Sequence, residues 1–588
     1  MQKINLHDGL SHLEAFLIEK LQELCYNRSL DSYRAKHLNP KQSVKEFYEL
    51  LNDWQANKIK DFKSILLCRD EVVHFLLNEE TLIFDPLSKK GLIDSLKKVK
   101  DENSDLDLLE YRLFNMLANN NDYLPNLLDA IEMILDDPKE DEGDRIVQLK
   151  ILDRLISYSI TEAIQSNLTK SYLHKLIQAI FIFKEDFIFK DSWSQFKIIL
   201  TKQEEIKFNI IFKVKASEKQ LENLISEQIT FEVDKGVVGE SPQAKIQNFI
   251  VSRKGWRFLI FEVDALDYYH ALKIGKAKLS KQFDRIHLGY SNLNLTLHET
   301  AAVINDVHKE KGNLQPLYYQ IDGYYKSNGD QHRKFLSELE AIEENKNVKY
   351  EVKDRINSAL RHLRLGNEAL EIEKKFINYW IGLEFVFSNY DKDTSTFRRV
   401  MKFLPIIHSL YYVKRNLLHL HETLKTFQID KDVEGFDDSL DYFKEGSTFD
   451  IIKGSAIGNH PLLAYRVQRL KAHLVNNSES RKKYLNRHKQ NIEWHITRLY
   501  RIRNKIVHDA AIIDNLENLT GNLRYYLNFI LNKLVEYFEE CPPKPLDNKQ
   551  IGMDDFFYHH LMLWEEVEKE KFDLGKLIHL KYTIEYLS

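Results

Sequence analysis

Apolar residues recur every three or four positions through the first 200 residues, as in Leu10, Leu13, Leu17, Leu21 and Leu24 and again in Leu108, Leu109, Leu113 and Leu117. That spacing lines one face of a helix, and only Gly9, Gly91 and Gly143 interrupt it. The pattern predicts an all-helical domain over residues 1–204. From 205 to 330 the period changes. Alternation predicts strands at Ile206–Val214, Ile229–Val233, Trp256–Val263 and Gln315–Tyr325, with helices at Ser217–Ile225 and Tyr268–Phe283, hence a small α+β domain. From 331 onward the helical period returns. Long helices are expected at Val352–Phe387, Lys482–His508 and Asn518–Glu540, forming a bundle over 331–545. Residues 388–480, with Gly-Ser and Asp-rich turns, read as an insertion in that bundle. Cys541-Pro542-Pro543-Lys544-Pro545 ends the last long helix, because proline removes backbone donors, and a helical tail occupies 546–588. The fold class expected is therefore mainly α with one small α+β domain.

Composition narrows this reading. A chain of 588 residues is too long for one core, and 20 Gly with 11 Pro are few enough to favour helices over turn-rich β structure. The net charge of -5 gives no whole-chain signal for a nucleic acid, so any basic surface must be local. Cys25, Cys68 and Cys541 form no Cys-x-x-Cys pair or zinc spacing. Met1 to Asp8 lack the apolar core of a signal peptide, and no stretch approaches eighteen uncharged apolar residues. The expectation is a reduced cytoplasmic protein with no membrane partner. The acidic run Asp136 to Asp144 does not follow the order of an EF-hand loop and reads as a solvated linker.

One stretch carries chemistry that the rest lacks. Tyr500-Arg501-Ile502-Arg503-Asn504-Lys505-Ile506-Val507-His508-Asp509-Ala510 sets Arg, Asn and His into an amphipathic helix pattern. A guanidinium fork grips anionic oxygens and an imidazole titrates near neutral pH, the combination that phosphodiester cleavage requires. Spacing alone does not select it. Arg69/His74, Arg355/His362, Arg415/His421, Arg466/His473, Arg481/His488 and Arg501/His508 are similarly spaced. Context does select it: at about 100° per residue Asn504 and His508 fall within about 40° of each other, and Arg503 lies about 140° from His508. A long Arg side chain can reach a phosphate from that flank. Leu499, Ile502, Ile506 and Val507 can seat the helix in a core. From Arg466 to Lys505 there are twelve Lys and Arg against Glu479 and Glu493, a local footprint for a polyanion. Arg498, Arg501 and Lys505 are the residues expected to contact that polyanion. The bland alternative is a solvated basic helix with a structural histidine. His419 and His421, beside Glu422, lack the spacing of a zinc protease helix, and His559-His560 follow Phe556-Phe557-Tyr558 and read as packing. No metal ligands and no cofactor are assigned.

Arg503-Asn504-Lys505-Ile506-Val507-His508 resembles the Arg-x4-6-His signature of the HEPN superfamily, in its form with a polar residue after the Arg. Upstream, Phe376-Ile377-Asn378-Tyr379-Trp380-Ile381-Gly382-Leu383-Glu384 resembles the aromatic-rich helix ending in Leu-Glu that precedes it in the ApeA-like branch. The resemblance covers about residues 350 to 540 and leaves the first 330 largely unmatched. The long insertion departs from a minimal domain. The resemblance implies a HEPN-like helical bundle that dimerises so that two motifs share a cleft, metal-independent RNA cleavage, and bacterial defence against phage. It also implies that Arg503 and His508 are catalytic, with Asn504 supporting them. Glu384 matches the acidic position of the earlier helix, where it either orients the site or pairs with Arg503.

RNA carries its own nucleophile, the 2′-hydroxyl beside the scissile phosphate. His508 is then general base or general acid, Arg503 stabilises charge developing on the non-bridging oxygens, and Asn504 adds a donor or fixes the imidazole tautomer. One histidine serves poorly where both a base and an acid are needed, a separate reason to expect a two-fold homodimer. No carboxylate cluster of the two-metal kind accompanies the motif. The expected products are a 2′,3′-cyclic phosphate and a 5′-hydroxyl. The expected partner is RNA, with tRNA one candidate, and a phage-derived molecule is a candidate trigger acting through the N-terminal and α+β domains. Two other readings remain: a non-catalytic RNA-binding or scaffold protein, and a toxin held by an antitoxin.

Overall fold

The computed structural model describes residues 3–26, 38–59, 61–79, 81–82, 88–102, 104, 106–215, 229–230, 232–251, 256–289, 296–309, 312–317, 329–369, 371–388, 395–509, 511, 513, 515–539, 550–569 and 573–580. These residues form mostly helices and one small antiparallel sheet. They group into two units: residues 1–162 with 321–588, and residues 163–320. That grouping differs from the expected separate domain over 1–204.

Among the described residues, seven helices come first: α1 (His12–Cys25), α2 (Pro40–Gln55), α3 (Phe62–Leu77), α4 (Ser88–Lys98), α5 (Asp107–Ala118), α6 (Tyr123–Asp136) and α7 (Glu142–Gln165). Local chemistry sets their starts. Ser11 and Glu14 make a reciprocal capping box on α1, Asn39 caps α2 ahead of Pro40, and Asp61 caps α3. α1 is buried on nearly every side, charged residues included, so each buried charge needs a partner. Lys20 pairs with Asp153 at 2.8 Å, Glu23 with Arg466 at 3.0 Å, and Glu19 accepts from the Leu462 N–H at 2.9 Å. Two of these partners lie more than 400 residues away in sequence, which is the physical reason the N-terminal helices and the C-terminal bundle form one unit. Cys25 and Cys68 are buried thiols, and burial pushes the Cys68 thiol up.

The second unit contains α8 (Lys170–Ile177, continued by a π turn Gln178–Ile182) and α9 (Phe189–Thr201), then the sheet with α10 (Lys235–Val238), α11 (Ala244–Ile250) and α12 (Tyr268–Gly289). The strands are β1 (Ile206–Lys215), β2 (Ile229–Thr230), β3 (Trp256–Ala265), β4 (Thr296–Asn305) and β5 (Gly312–Pro316), in the order β2-β3-β1-β4-β5 and antiparallel throughout. Phe208, Ile210, Phe212 and Val214 pack under Ala271, Leu272 and Leu279 of α12. Ile211 faces the other way, toward Val238, Ile246 and Phe249. Asp267 ties α8 to α12: its carboxylate accepts from the N–H of Thr169 at 3.1 Å and from the N–H groups of Tyr269 and His270 at 2.7 and 2.9 Å. β1, β3 and α12 match the expected pattern. β4 was not expected, because its first half is polar and Ala301 to Asn305 are buried together, so alternation is lost. The expected helix Ser217–Ile225 lies outside the described residues, as do Phe231 of the second expected strand and residues 318–325 of the last.

The C-terminal part holds α13 (Gly329–Glu344), α14 (Tyr350–Glu368), α15 (Ile372–Phe387), α16 (Thr396–Phe427), α17 (Gly446–Ala456), α18 (Pro461–Leu474), α19 (Ser478–Asp509), α20 (Leu516–Glu539), α21 (Met553–Val567) and α22 (Leu574–Ile578). The single helix expected at Val352–Phe387 is a hairpin. Ala369 turns extended after α14, and Lys375 donates to the carbonyls of Gly366 and Asn367 at 3.1 and 2.9 Å. Gly382 lets α15 approach its neighbours: a Cβ there would meet Leu527 Cδ2 at 2.9 Å and the Ala359 carbonyl at 3.3 Å. Within the expected insertion, α16 is a 32-residue bundle helix packed on α15, α19 and α21. His408 on α16 joins His488 of α19 and Tyr525 of α20 through contacts of 2.9 Å each. The expected tail is also part of the bundle, since α21 packs on α16. Residues 541–545 lie outside the described residues. Among the described residues no helix is long and apolar enough to cross a membrane.

Candidate active site

α19 carries Tyr500, Arg503, Asn504, Val507 and His508 at relative positions 0, 3, 4, 7 and 8, an arc about 140° wide on the helix surface. Leu499 is the last fully buried residue of the helix. Arg503 and Asn504 are half-buried, and Val507, His508 and Asp509 are exposed. The motif therefore runs outward from the core to the helix end.

Glu384, near the end of α15, faces this arc. Its carboxylate lies 3.7 Å from Arg503 Nη2 and accepts a hydrogen bond from the Trp380 indole N–H at 2.6 Å. The first distance is an ion pair too long for a hydrogen bond, so the firm bond of Glu384 goes to Trp380. Arg503 Nη1 donates to Asn504 Oδ1 at 3.2 Å. Trp380 is fully buried beside Tyr500, with ring centroids 5.8 Å apart, and Tyr500 stacks on Phe397 of α16 at 3.9 Å. These rings form the apolar floor against which Glu384 and Arg503 sit. The site thus combines a half-exposed guanidinium, an amide and a solvent-facing imidazole, groups able to bind an anion and to move a proton.

Arg498, Arg501 and Lys505 are placed differently from the expectation. Arg498 is buried. Its Nε donates to both oxygens of Glu46 at 3.0 and 2.9 Å, and its Nη2 to Glu71 at 2.6 Å. Arg501 also pairs with Glu46, and burial pulls its guanidinium down to about 10, so it stays charged at neutral pH. Burial pushes the Glu71 carboxyl up, against the pull of Arg498. Lys505 pairs with Asp53 at 3.1 Å. Glu46 and Asp53 come from α2 and Glu71 from α3, so the two arginines face protein. A cation removed from water needs a carboxylate. Arg466 and Arg469 likewise meet Glu23 and Asp153, at 3.0 and 3.5 Å. Much of the basic stretch is therefore an internal seam.

Phe397, Glu46, Asp53 and Glu71 have no place in the sequence expectations, and Trp380 and Tyr500 stand there only as members of the two motifs, without a role. Trp380 had a local signal, four residues before Glu384 on one helix face. The three acids had none, being more than 400 residues from the cations they hold. His421 is buried against Tyr442 at 2.6 Å and Asp438 at 3.2 Å, and His560 is buried against Tyr411. Among the described residues no group of three or more His, Cys, Asp or Glu side chains is arranged to hold a metal ion. The chain matches no family model, no curated protein and no solved structure.

Proposed function

We propose that this chain is a metal-independent endoribonuclease of the HEPN kind, with α14, α15, α16, α19 and α20 as its helical bundle. The observation that carries the reading is the outward face of α19, where Arg503, Asn504 and His508 share one arc beside Glu384 of the preceding motif helix. Arg503 binds the scissile phosphate and stabilises the charge that develops on its non-bridging oxygens. His508, exposed at the helix end, is the group that moves a proton to or from the reacting 2′-hydroxyl or the leaving 5′-oxygen. Glu384, held by Trp380, sets the direction of the guanidinium, and Asn504 supports it from the next position on the helix.

A single imidazole in the motif of each chain supports pairing two copies about a two-fold axis, so that one histidine acts as base and the other as acid. RNA contact falls to Arg503, Asn504 and the exposed end of α19, since Arg498 and Arg501 are engaged with Glu46 and Glu71. The biological reading is a cytoplasmic anti-phage effector with RNA, tRNA among the candidates, as substrate.

The test is cleavage by the purified full chain in EDTA. RNA should be cut to 2′,3′-cyclic phosphate ends, the all-DNA analogue should not, and His508→Ala and Arg503→Ala should each abolish the activity. Dependence on added metal, or cleavage of DNA, would sink the mechanism. RNA binding without turnover, unchanged in His508→Ala, would instead indicate a non-catalytic RNA-binding protein.

A further inference from the structure

The motif sits where a helix is weakest. α19 ends at Asp509, the last carbonyls of a helix lack intrahelical partners, and no residue of this helix beyond Leu499 is fully buried. Helix ends with few buried contacts open first, yet a catalytic arc must be held to a fraction of an ångström. Two anchors lie in these turns beside the half-buried Ile502 and Ile506: Arg501 on Glu46 and Lys505 on Asp53. Arg498, bonded to both Glu46 and Glu71, fixes the turn before them.

Positions 501, 505 and 508 advance by four and three residues and so form one stripe along the helix. The clamped stripe thus ends at His508; Asn504 lies about 40° to one side of His508, and Arg503 lies about 140° from it, on the far side of the helix. Glu46 is the centre of the clamp, because it bridges two arginines one turn apart.

We propose that Glu46, Glu71 and Asp53 are positioning residues for the site: carboxylates of α2 and α3 hold the last turns of α19 and thereby aim Arg503, Asn504 and His508. This rests on the endoribonuclease reading for its functional consequence, though not for the clamp itself. The N-terminal helices are then a working part of the site, and any signal that shifts α2 or α3 acts on the motif helix directly.

The experiment uses the full chain with Glu46→Gln, Glu71→Gln and Asp53→Asn, read by amide hydrogen exchange and by RNA cleavage. Exchange across residues 500–509 should quicken roughly 10- to 100-fold in Glu46→Gln, the loss expected when a charged hydrogen bond is removed. Exchange in residues 523–535 of α20 should be unchanged. Cleavage should lose kcat with KM retained, because these carboxylates do not touch RNA. If Glu46→Gln does not fold, Asp53→Asn, which removes a half-exposed pair, keeps the test with a smaller effect at 503–509. Unchanged exchange at 500–509, or an equal rise in α20, overturns the clamp. Faster local exchange in the variants, where the wild-type chain itself cuts no RNA, keeps the clamp and overturns the endoribonuclease reading. Normal exchange and kcat in the variants of an active enzyme do the reverse.

Discussion

At the scale of single residues, burial decides what each ionisable group can do. Arg503 and His508 are chemically available because they lie beyond the last buried residue of α19, whereas Arg498, five positions earlier, is an internal cation. The sequence expectation of a helix carrying Arg503, Asn504 and His508 agrees with α19. It could not distinguish the arginines that face solvent from those that face Glu46 and Glu71, because that difference depends on acids more than 400 positions away. His560 shows the same control by burial. Its Nδ1 lies 2.8 Å from the Phe556 carbonyl and its Nε2 3.1 Å from the Tyr411 hydroxyl, and burial pulls the imidazole down to about 3. The unfolded chain takes up this proton near pH 6.5 while the folded chain resists it, so stability is complete above that pH and falls as pH drops toward 3. The upper limit is about 1.4 kcal/mol per pH unit. Tm measured from pH 7 to pH 5 should fall less steeply in His560→Gln than in wild type. Equal slopes would show that His560 does not titrate in this way. His12, His174, His421, His473 and His559 are lowered too, each chiefly by burial, so part of the slope persists in the variant.

At the scale of elements, the site depends on how closely the α14–α15 hairpin is packed. Tyr379 is fully buried over Gly366 and its hydroxyl donates to Asn367 Oδ1 at 2.9 Å, while a Cβ at Gly366 would come within 2.6 Å of Tyr379 Cδ1. Gly366→Ala should therefore destabilise the protein by about 1–3 kcal/mol, the usual range for overpacking, seen as a lower urea midpoint. A neutral or stabilising result would mean that Tyr379 can move aside. Element by element, α19 is legible from its single apolar face, and α20 is legible although it is buried on most sides. α16 was read as part of an insertion because apolar residues surround it, as expected of a helix buried on several sides. β4 was missed for the related reason that a strand buried on both faces does not alternate. The hairpin break at Ala369 was also missed, since the capping role of Lys375 appears only once α14 and α15 fold against each other.

At the scale of the molecule, residues 1–162 and 321–588 share one set of contacts, sealed by Glu19, Glu23, Glu46, Asp53, Glu71 and Asp153 against groups in the 460–505 stretch. A fragment of residues 331–588 should consequently aggregate or lack cooperative unfolding, because it exposes buried arginines without their carboxylates. Circular dichroism melting and size-exclusion chromatography would check this, and a soluble fragment with a sharp transition would contradict it. Periodicity within a few turns was enough for the helical class, for strands β1 and β3 of the small sheet, and for placing Arg503, Asn504 and His508 on one helix. Which basic residues carboxylates hold internally, which helices join the bundle, and that α2 and α3 meet α19 emerged only with the folded chain. Those outcomes follow from charge pairing and burial between segments far apart in the chain, where local pattern carries no information.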